Sequence, residues 1–240
     1  MIGIEEVGDA RHFLLLGAGE FLPWSEEAER QVLRLTRRTG PIAVLPTASA
    51  PEGDAVFDRW GRMGLDHYAQ LGLEARVVPL KTRDDASEPA LVAALDDACM
   101  MFFSGGNPAY LARTLDGTPF LDALGRALGD GMVFAGCSAG AMVAGARVGT
   151  TPGPGFRSAG LGLVAHVRFG VHWNRVPGLP GVKRFMTAGI ERADAFVGID
   201  EMTAIAGDGA RWRVFGAGRV EVRRLGDRSF FSAGEEFSLL

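Results

Sequence analysis

Cysteine is scarce: Cys99 and Cys137 are the only two in 240 residues, each at an apolar, strand-like position. Two such thiols make no disulfide framework, and no Cys-x-x-Cys or histidine-rich spacing offers a metal site. No apolar run approaches the roughly 20 residues that cross a bilayer. The start, Met1-Ile2-Gly3-Ile4-Glu5-Glu6-Val7, lacks a basic segment followed by a long apolar one. A cytoplasmic protein with no membrane partner is expected. Charge of one sign is also missing, since 25 basic against 29 acidic residues leave a net −4. That balance gives no general reason to expect nucleic acid as a partner.

A more local absence is informative. From Ala139 through Ile190 there is no Asp or Glu, while Arg147, Arg157, Arg168, Arg175, Lys183 and Arg184 all fall there. A positive potential over that stretch favours a substrate that carries carboxylate. Separate solvation of those long side chains is the plainer reading.

What is present begins with alternation. His12-Phe13-Leu14-Leu15-Leu16, Ile42-Ala43-Val44-Leu45-Pro46, Ala75-Arg76-Val77-Val78-Pro79, Cys99-Met100-Met101-Phe102-Phe103 and Gly131-Met132-Val133-Phe134-Ala135 read as buried strands. Helical patterns over 25–38, 57–71, 89–97, 110–115 and 120–128 separate them. Continuous apolar strands between helices imply an α/β domain with a mostly parallel sheet and helices on both faces. Thr203-Ala204-Ile205-Ala206, Arg211-Trp212-Arg213-Val214-Phe215 and Arg219-Val220-Glu221-Val222-Arg223 are short strands joined by glycine turns, read as a C-terminal antiparallel meander. No linker divides the chain, and residues 1–240 fit one domain.

In such sheets functional loops gather at the carboxyl ends of strands. Gly17-Ala18-Gly19-Glu20, Ser104-Gly105-Gly106-Asn107 and Gly136-Cys137-Ser138-Ala139-Gly140 qualify. The first is no dinucleotide fingerprint, because Leu22 stands at the third glycine position. The third is a Gly-x-Ser-x-Gly turn between strand and helix, which pushes a serine hydroxyl outward and aims the next amide at a developing oxyanion. With 34 glycines in the chain, the pattern needs support from its surroundings. Cys137 precedes the central position and reads as a buried strand-end residue.

Serine needs a base and the base needs an orienting acid. Of four histidines, His12 lies on the amino side of the sheet, His67 sits mid-helix, solvated or capping, and His166 alternates with apolar neighbours. His172 comes where a strand gives way to a Pro/Gly-rich loop and is the first choice, His166 the reserve. The acid must come from outside the carboxylate-free stretch; Asp200 and Glu201 are adjacent, and only one of them can turn inward. Ala139 and Gly106 are the candidate oxyanion donors. Asn107 followed by Pro108 also reads as a helix start.

Phe103-Ser104-Gly105-Gly106-Asn107, Gly136-Cys137-Ser138-Ala139-Gly140-Ala141, Gly160-Leu161-Gly162-Leu163 and Gly198-Ile199-Asp200-Glu201-Met202-Thr203-Ala204, in this order, resemble serine peptidase family S51, which contains dipeptidase E and cyanophycinase, and most closely its cyanophycinase branch. The resemblance implies a flavodoxin-like fold similar to class I glutamine amidotransferases. It implies Ser138 as nucleophile, His172 as general base and Glu201 as orienting acid, with Gly105, Asn107 and Arg175 contacting substrate. No cofactor is implied, and the partner is a small peptide or isopeptide; homo-oligomerisation stays open. Gly170 and Val171 stand where cyanophycinases resemble one another in Asp-Gln, and only Arg175 approaches their arginines. A binding or regulatory protein that keeps the fold without turnover is the alternative of another class.

Overall fold

A computed structural model describes residues 11–149, 157–176, 187 and 194–239. Met1 to Val7, Lys183 and Arg184, which entered the leader and charge expectations, lie outside them.

Strands β1 (His12–Leu16), β2 (Ile42–Leu45), β3 (Ala75–Val77), β4 (Met100–Phe103) and β5 (Val133–Cys137) form the parallel part of the main sheet, in the order β3-β2-β4-β5-β1. Their side chains alternate between two cores. Phe13, Leu15, Ala43, Leu45, Met101, Phe103 and Phe134 face one; Leu14, Leu16, Ile42, Val44, Met100, Phe102, Val133 and Ala135 face the other. Burial on both faces is why these strands read as continuous apolar runs rather than as alternation. Helices α1 (Glu26–Leu33) and α2 (Asp54–Gln70) cover the second face. Across the first lie α3 (Pro89–Val92), α4 (Pro108–Leu115), α5 (Pro119–Gly129) and α6 (Ala139–Val143).

Several helices differ from the periodic reading for local reasons. The pattern over 25–38 stops at Leu33; beyond it the Arg38 amide donates to the Thr36 hydroxyl at 3.1 Å, a local side-chain bond that replaces a helical one. The pattern over 89–97 tightens after Val92 into a 3-10 turn that buries Leu95. Asn107 caps α4, its Oδ1 accepting the Tyr110 amide at 3.0 Å, with Pro108 at the first helical position.

The C-terminal strands are antiparallel, as expected, but they divide between two sheets. Strands β10 (Thr203–Gly207), β11 (Arg211–Gly216) and β14 (Glu236–Ser238) extend the main sheet beyond β1, making it eight-stranded. Strand β12 (Arg219–Arg224) instead pairs with β9 (Ala195–Ile199) and β13 (Asp227–Ser232) in a four-stranded sheet, where β8 (Val167–Gly170) lies parallel to β9. The chain corners at Gly216, whose φ is +96° and whose side-chain position is filled by the Met202 carbonyl 2.2 Å away. A turn made for a corner does not bring β11 and β12 together. A short ribbon of β6 (Arg147–Gly149) and β7 (Arg157–Ala159) completes the topology. Among the described residues no helix is long and apolar enough to cross a membrane.

Candidate active site

Strands β1, β5 and β4 are neighbours, so the three candidate loops end side by side. The turn after β5 is held by the close approach of its glycines. A side-chain carbon at Gly136 would stand 2.4 Å from the Gly140 carbonyl carbon, and one at Gly140 would stand 2.1 Å from the Phe103 oxygen. Backbone therefore packs where side chains would go, and Ser138 between them takes φ +50°, ψ −109°. That is a costly conformation for a residue with a side chain, persisting only where its surroundings over-determine it.

The other two groups come from the second sheet. His172 lies two residues past β8 and Glu201 two residues past β9; these strands are parallel with Gly170 opposite Gly198, so the two side chains leave adjacent strand ends. Ser138 Oγ is 3.1 Å from His172 Nε2, and His172 Nδ1 is 2.9 Å from Glu201 Oε1. Because a carboxylate only accepts, this contact holds the proton on Nδ1 and leaves Nε2 free to accept from the serine. Asp200 turns away and accepts the Arg219 amide at 3.0 Å. The neighbouring carboxylates thus face opposite ways.

Arg175 donates from Nε to Glu201 Oε2 at 2.9 Å, while its side chain stays 75% exposed. The hydrogen bond from His172, and after it that from Arg175, holds the Glu201 carboxyl below the usual carboxylate range. The Glu201 amide donates to Asn174 Oδ1 at 3.0 Å. His172 (φ +49°) and Met202 (φ +55°) share the positive φ of Ser138, so three of the five non-glycine residues in this region of backbone space among the described residues surround one site.

The first glycine loop has a structural task the sequence reading left unassigned. Its Gly17 amide donates to the Thr203 carbonyl at 2.9 Å, its Gly17 carbonyl accepts from the His172 amide at 3.4 Å, and its Ala18 carbonyl accepts from the Met202 amide at 3.3 Å. A side chain at Gly17 would meet the Asp200 carbonyl at 2.1 Å. These contacts stitch the two sheets together beneath Ser138, His172 and Glu201.

At the β4 end, Gly106 takes φ +140° with its missing side chain against the Ala48 backbone at 2.4 Å. Among the described residues neither the Gly106 nor the Ala139 amide has a hydrogen-bond partner. Gly105 is engaged: its amide donates to Glu20 Oε1 at 2.9 Å. The Asn107 side-chain oxygen is used as the α4 cap.

Three residues went unnoticed in the sequence. Glu20, 6% exposed, accepts the Gly105 amide on one oxygen and the Cys137 thiol on the other, at 2.9 Å each. Burial, reinforced by this carboxylate, pushes the Cys137 thiol well up, so the cysteine beside Ser138 stays protonated. Trp173, buried directly after His172, donates its indole N–H to the buried Glu221 at 2.8 Å. Glu221 also receives Arg223 and, at 2.9 Å, Arg228. The only signal for Glu20 was an acid inside a glycine loop at a strand end; Glu221 sat in an ordinary alternating strand and gave none.

The remaining histidines lie elsewhere. His67 is not solvated, as the helix position had suggested, but buried, with Nε2 2.7 Å from Glu29 Oε2. The amphipathic period alone could not show that Glu29 of α1 faces it. His166, the reserve base, has an exposed ring 3.5 Å from Asp194.

The family model of peptidase family S51 matches residues 13–214. The chain belongs to that family. Among curated proteins, the cyanophycinase of Synechococcus elongatus is 31% identical over 193 residues, covering 75% of this chain and 58% of the relative. That of Nostoc sp. is 27% identical over 192 residues, covering 75% and 62%. The chain thus spans about three-fifths of the length of the curated relatives it matches. The crystal structure of a peptidase from an acI-B1 Actinobacterium superposes with a TM-score of 0.86 at 30% identity, over 95% of this chain and 97% of that one. A putative peptidase E protein from Listeria monocytogenes EGD-e, 15% identical with a TM-score of 0.57 over 89% and 98% of the two chains, shares the fold.

Proposed function

We propose that this chain is a serine peptidase that hydrolyses a small peptide or isopeptide bond through Ser138, His172 and Glu201. The observation that carries the reading is the continuous hydrogen-bond chain from Ser138 Oγ through the His172 ring to Glu201, at 3.1 and 2.9 Å, on a serine forced to positive φ. Membership of family S51 and likeness to a peptidase structure support it.

Ser138 Oγ attacks the scissile carbonyl carbon while His172 Nε2 takes its proton, and the carbonyl oxygen becomes an oxyanion. The unpaired Gly106 and Ala139 amides are the donors that receive that charge. Glu201 keeps the Nδ1–H tautomer and stabilises the imidazolium. His172 then gives the proton to the leaving amine, whose departure leaves an acyl-enzyme on Ser138. Water, deprotonated by His172, attacks the ester and restores the serine. Arg175 presents guanidinium N–H groups beyond the one given to Glu201, at an exposed position where they can meet a substrate carboxylate. Gly170 and Val171 make this site unlike that of cyanophycinases next to the base, so a short acidic peptide fits the reading better than an arginine-decorated polymer.

A dipeptide and isopeptide library, screened with the wild type and Ser138→Ala, tests this. Hydrolysis by the first and none by the second is expected; cleavage that survives in Ser138→Ala overturns the proposal.

A further inference from the structure

Three consecutive amides in the loop after β4 have different fates. The Gly105 amide donates to Glu20 Oε1 at 2.9 Å, and the Asn107 amide donates to the Ala48 carbonyl at 2.8 Å. The Gly106 amide between them has no partner among the described residues. A peptide unit is planar, so fixing the units on either side of Gly106 leaves its own N–H little freedom to turn. Alanine 48 belongs to the 3-10 turn after β2, whereas Glu20 reaches across from the loop after β1. The second clamp is therefore a side chain, and a buried one.

Glu20 is an unusual choice for that task. At 6% exposure a carboxylate is costly unless its oxygens are bonded, and here each oxygen accepts a donor, from Gly105 and from Cys137. Both donors flank the site. Cys137 immediately precedes Ser138, and the side-chain position at Gly105 lies 3.2 Å from Glu20 Oε1, 3.5 Å from Ser138 Cβ and 3.9 Å from its Oγ. One carboxylate thus ties the loop after β1 to the loop after β4 and to the strand end that carries the serine.

We propose that Glu20 is a positioning residue for the oxyanion site: its carboxylate holds the Gly105 amide so that the next amide, that of Gly106, stands unpaired beside Ser138. The inference rests on the nucleophile assigned above. It requires an acceptor at Glu20, not a charge. Glutamine keeps an oxygen that can accept from Gly105, while methionine fills the same volume without one.

The test is the labelling rate of the full chain by a fluorophosphonate probe, in which Ser138 Oγ bonds phosphorus, fluoride leaves, the serine proton passes to His172 and the phosphoryl oxygen takes the oxyanion position. Glu20→Gln should label within about fivefold of wild type, and Glu20→Met about 100-fold more slowly, the usual cost of a displaced catalytic group. Equal rates for Glu20→Met and wild type, with both folded, overturn the inference alone, and so does Glu20→Gln as slow as Glu20→Met. Wild type that does not label, or label that persists in Ser138→Ala, overturns the nucleophile assignment and this inference with it. Should Glu20→Met fail to fold, hydrogen exchange of the Gly105 amide in Glu20→Gln decides: labelling kept with protection kept supports the role, labelling kept with protection lost ends it.

Discussion

The two sheets contribute to one site by different means. The eight-stranded sheet is buried on both faces where it carries β1, β5 and β4, and it delivers Ser138 through backbone packed against backbone at Gly136 and Gly140. The four-stranded sheet has a largely exposed strand, β13, and delivers His172 and Glu201 through side-chain anchors: Trp173 on Glu221, Asn174 under Glu201, Arg175 beside it. Ser138 is thus placed chiefly by backbone packed at glycines, whereas His172 and Glu201 have polar partners in addition to the close packing of Gly170 on Phe196 and Gly198 on Trp173. Added atoms at Gly136 or Gly140 should displace Ser138, and lost hydrogen bonds around His172 and Glu201 should displace those two.

The largest expected effect tests whether the two halves act as a unit. Ser138→Ala and His172→Ala should each lower turnover about a millionfold, and the double variant no further. Additive losses, measured as kcat on the library substrate, would separate the sheets functionally. Glu201→Gln comes next. Its amide can donate as well as accept, which frustrates the Nδ1–H tautomer, and a fall in kcat of about 10⁴ with little change in KM is expected.

A third comparison concerns stability. Glu221→Ala leaves the Trp173 indole and two arginines without their buried acceptor, and should cost about 3 kcal/mol in a denaturant titration at pH 7. Burial pushes the Glu221 carboxyl up, but the bonds from Arg228, Trp173 and Arg223 outweigh it and hold it below its ordinary value of 4.5. A depressed carboxyl contributes stability above its unfolded pKa and loses it as pH falls through the folded one. The difference between variant and wild type should therefore shrink in acid.

Arg175→Ala should have the smallest effect. It removes the second of the contacts that lower the Glu201 carboxyl, which then titrates closer to its ordinary range by NMR. The exposed ion pair itself contributes little. A KM that rises with kcat nearly unchanged would mark Arg175 as a substrate contact rather than a support for Glu201.

The same contrast explains what could be read in advance. The five parallel strands were legible because burial on both faces writes a continuous apolar run. The Ser138 turn was legible because close backbone approach admits only glycine at 136 and 140. The division of the C-terminal strands was not, since β11 and β12 look like any pair joined by a glycine turn. Glu29 with His67 was missed for a similar reason: each sits in its own helix, and only packing of α1 against α2 brings them together.

By itself the sequence determined the alternating α/β order, the strand-end position of Ser138 and the choice of His172 over its fellow histidines as the residue to test. Those are local properties, set by periodicity, glycine sterics and loop position over a few residues. Tertiary structure decided which of Asp200 and Glu201 faces the histidine, that Gly17 stitches two sheets together, and that Glu20 reaches Gly105 across 85 positions of chain. Those are contacts between distant segments, and no local pattern encodes a partner that only the meeting of two sheets or three loops supplies.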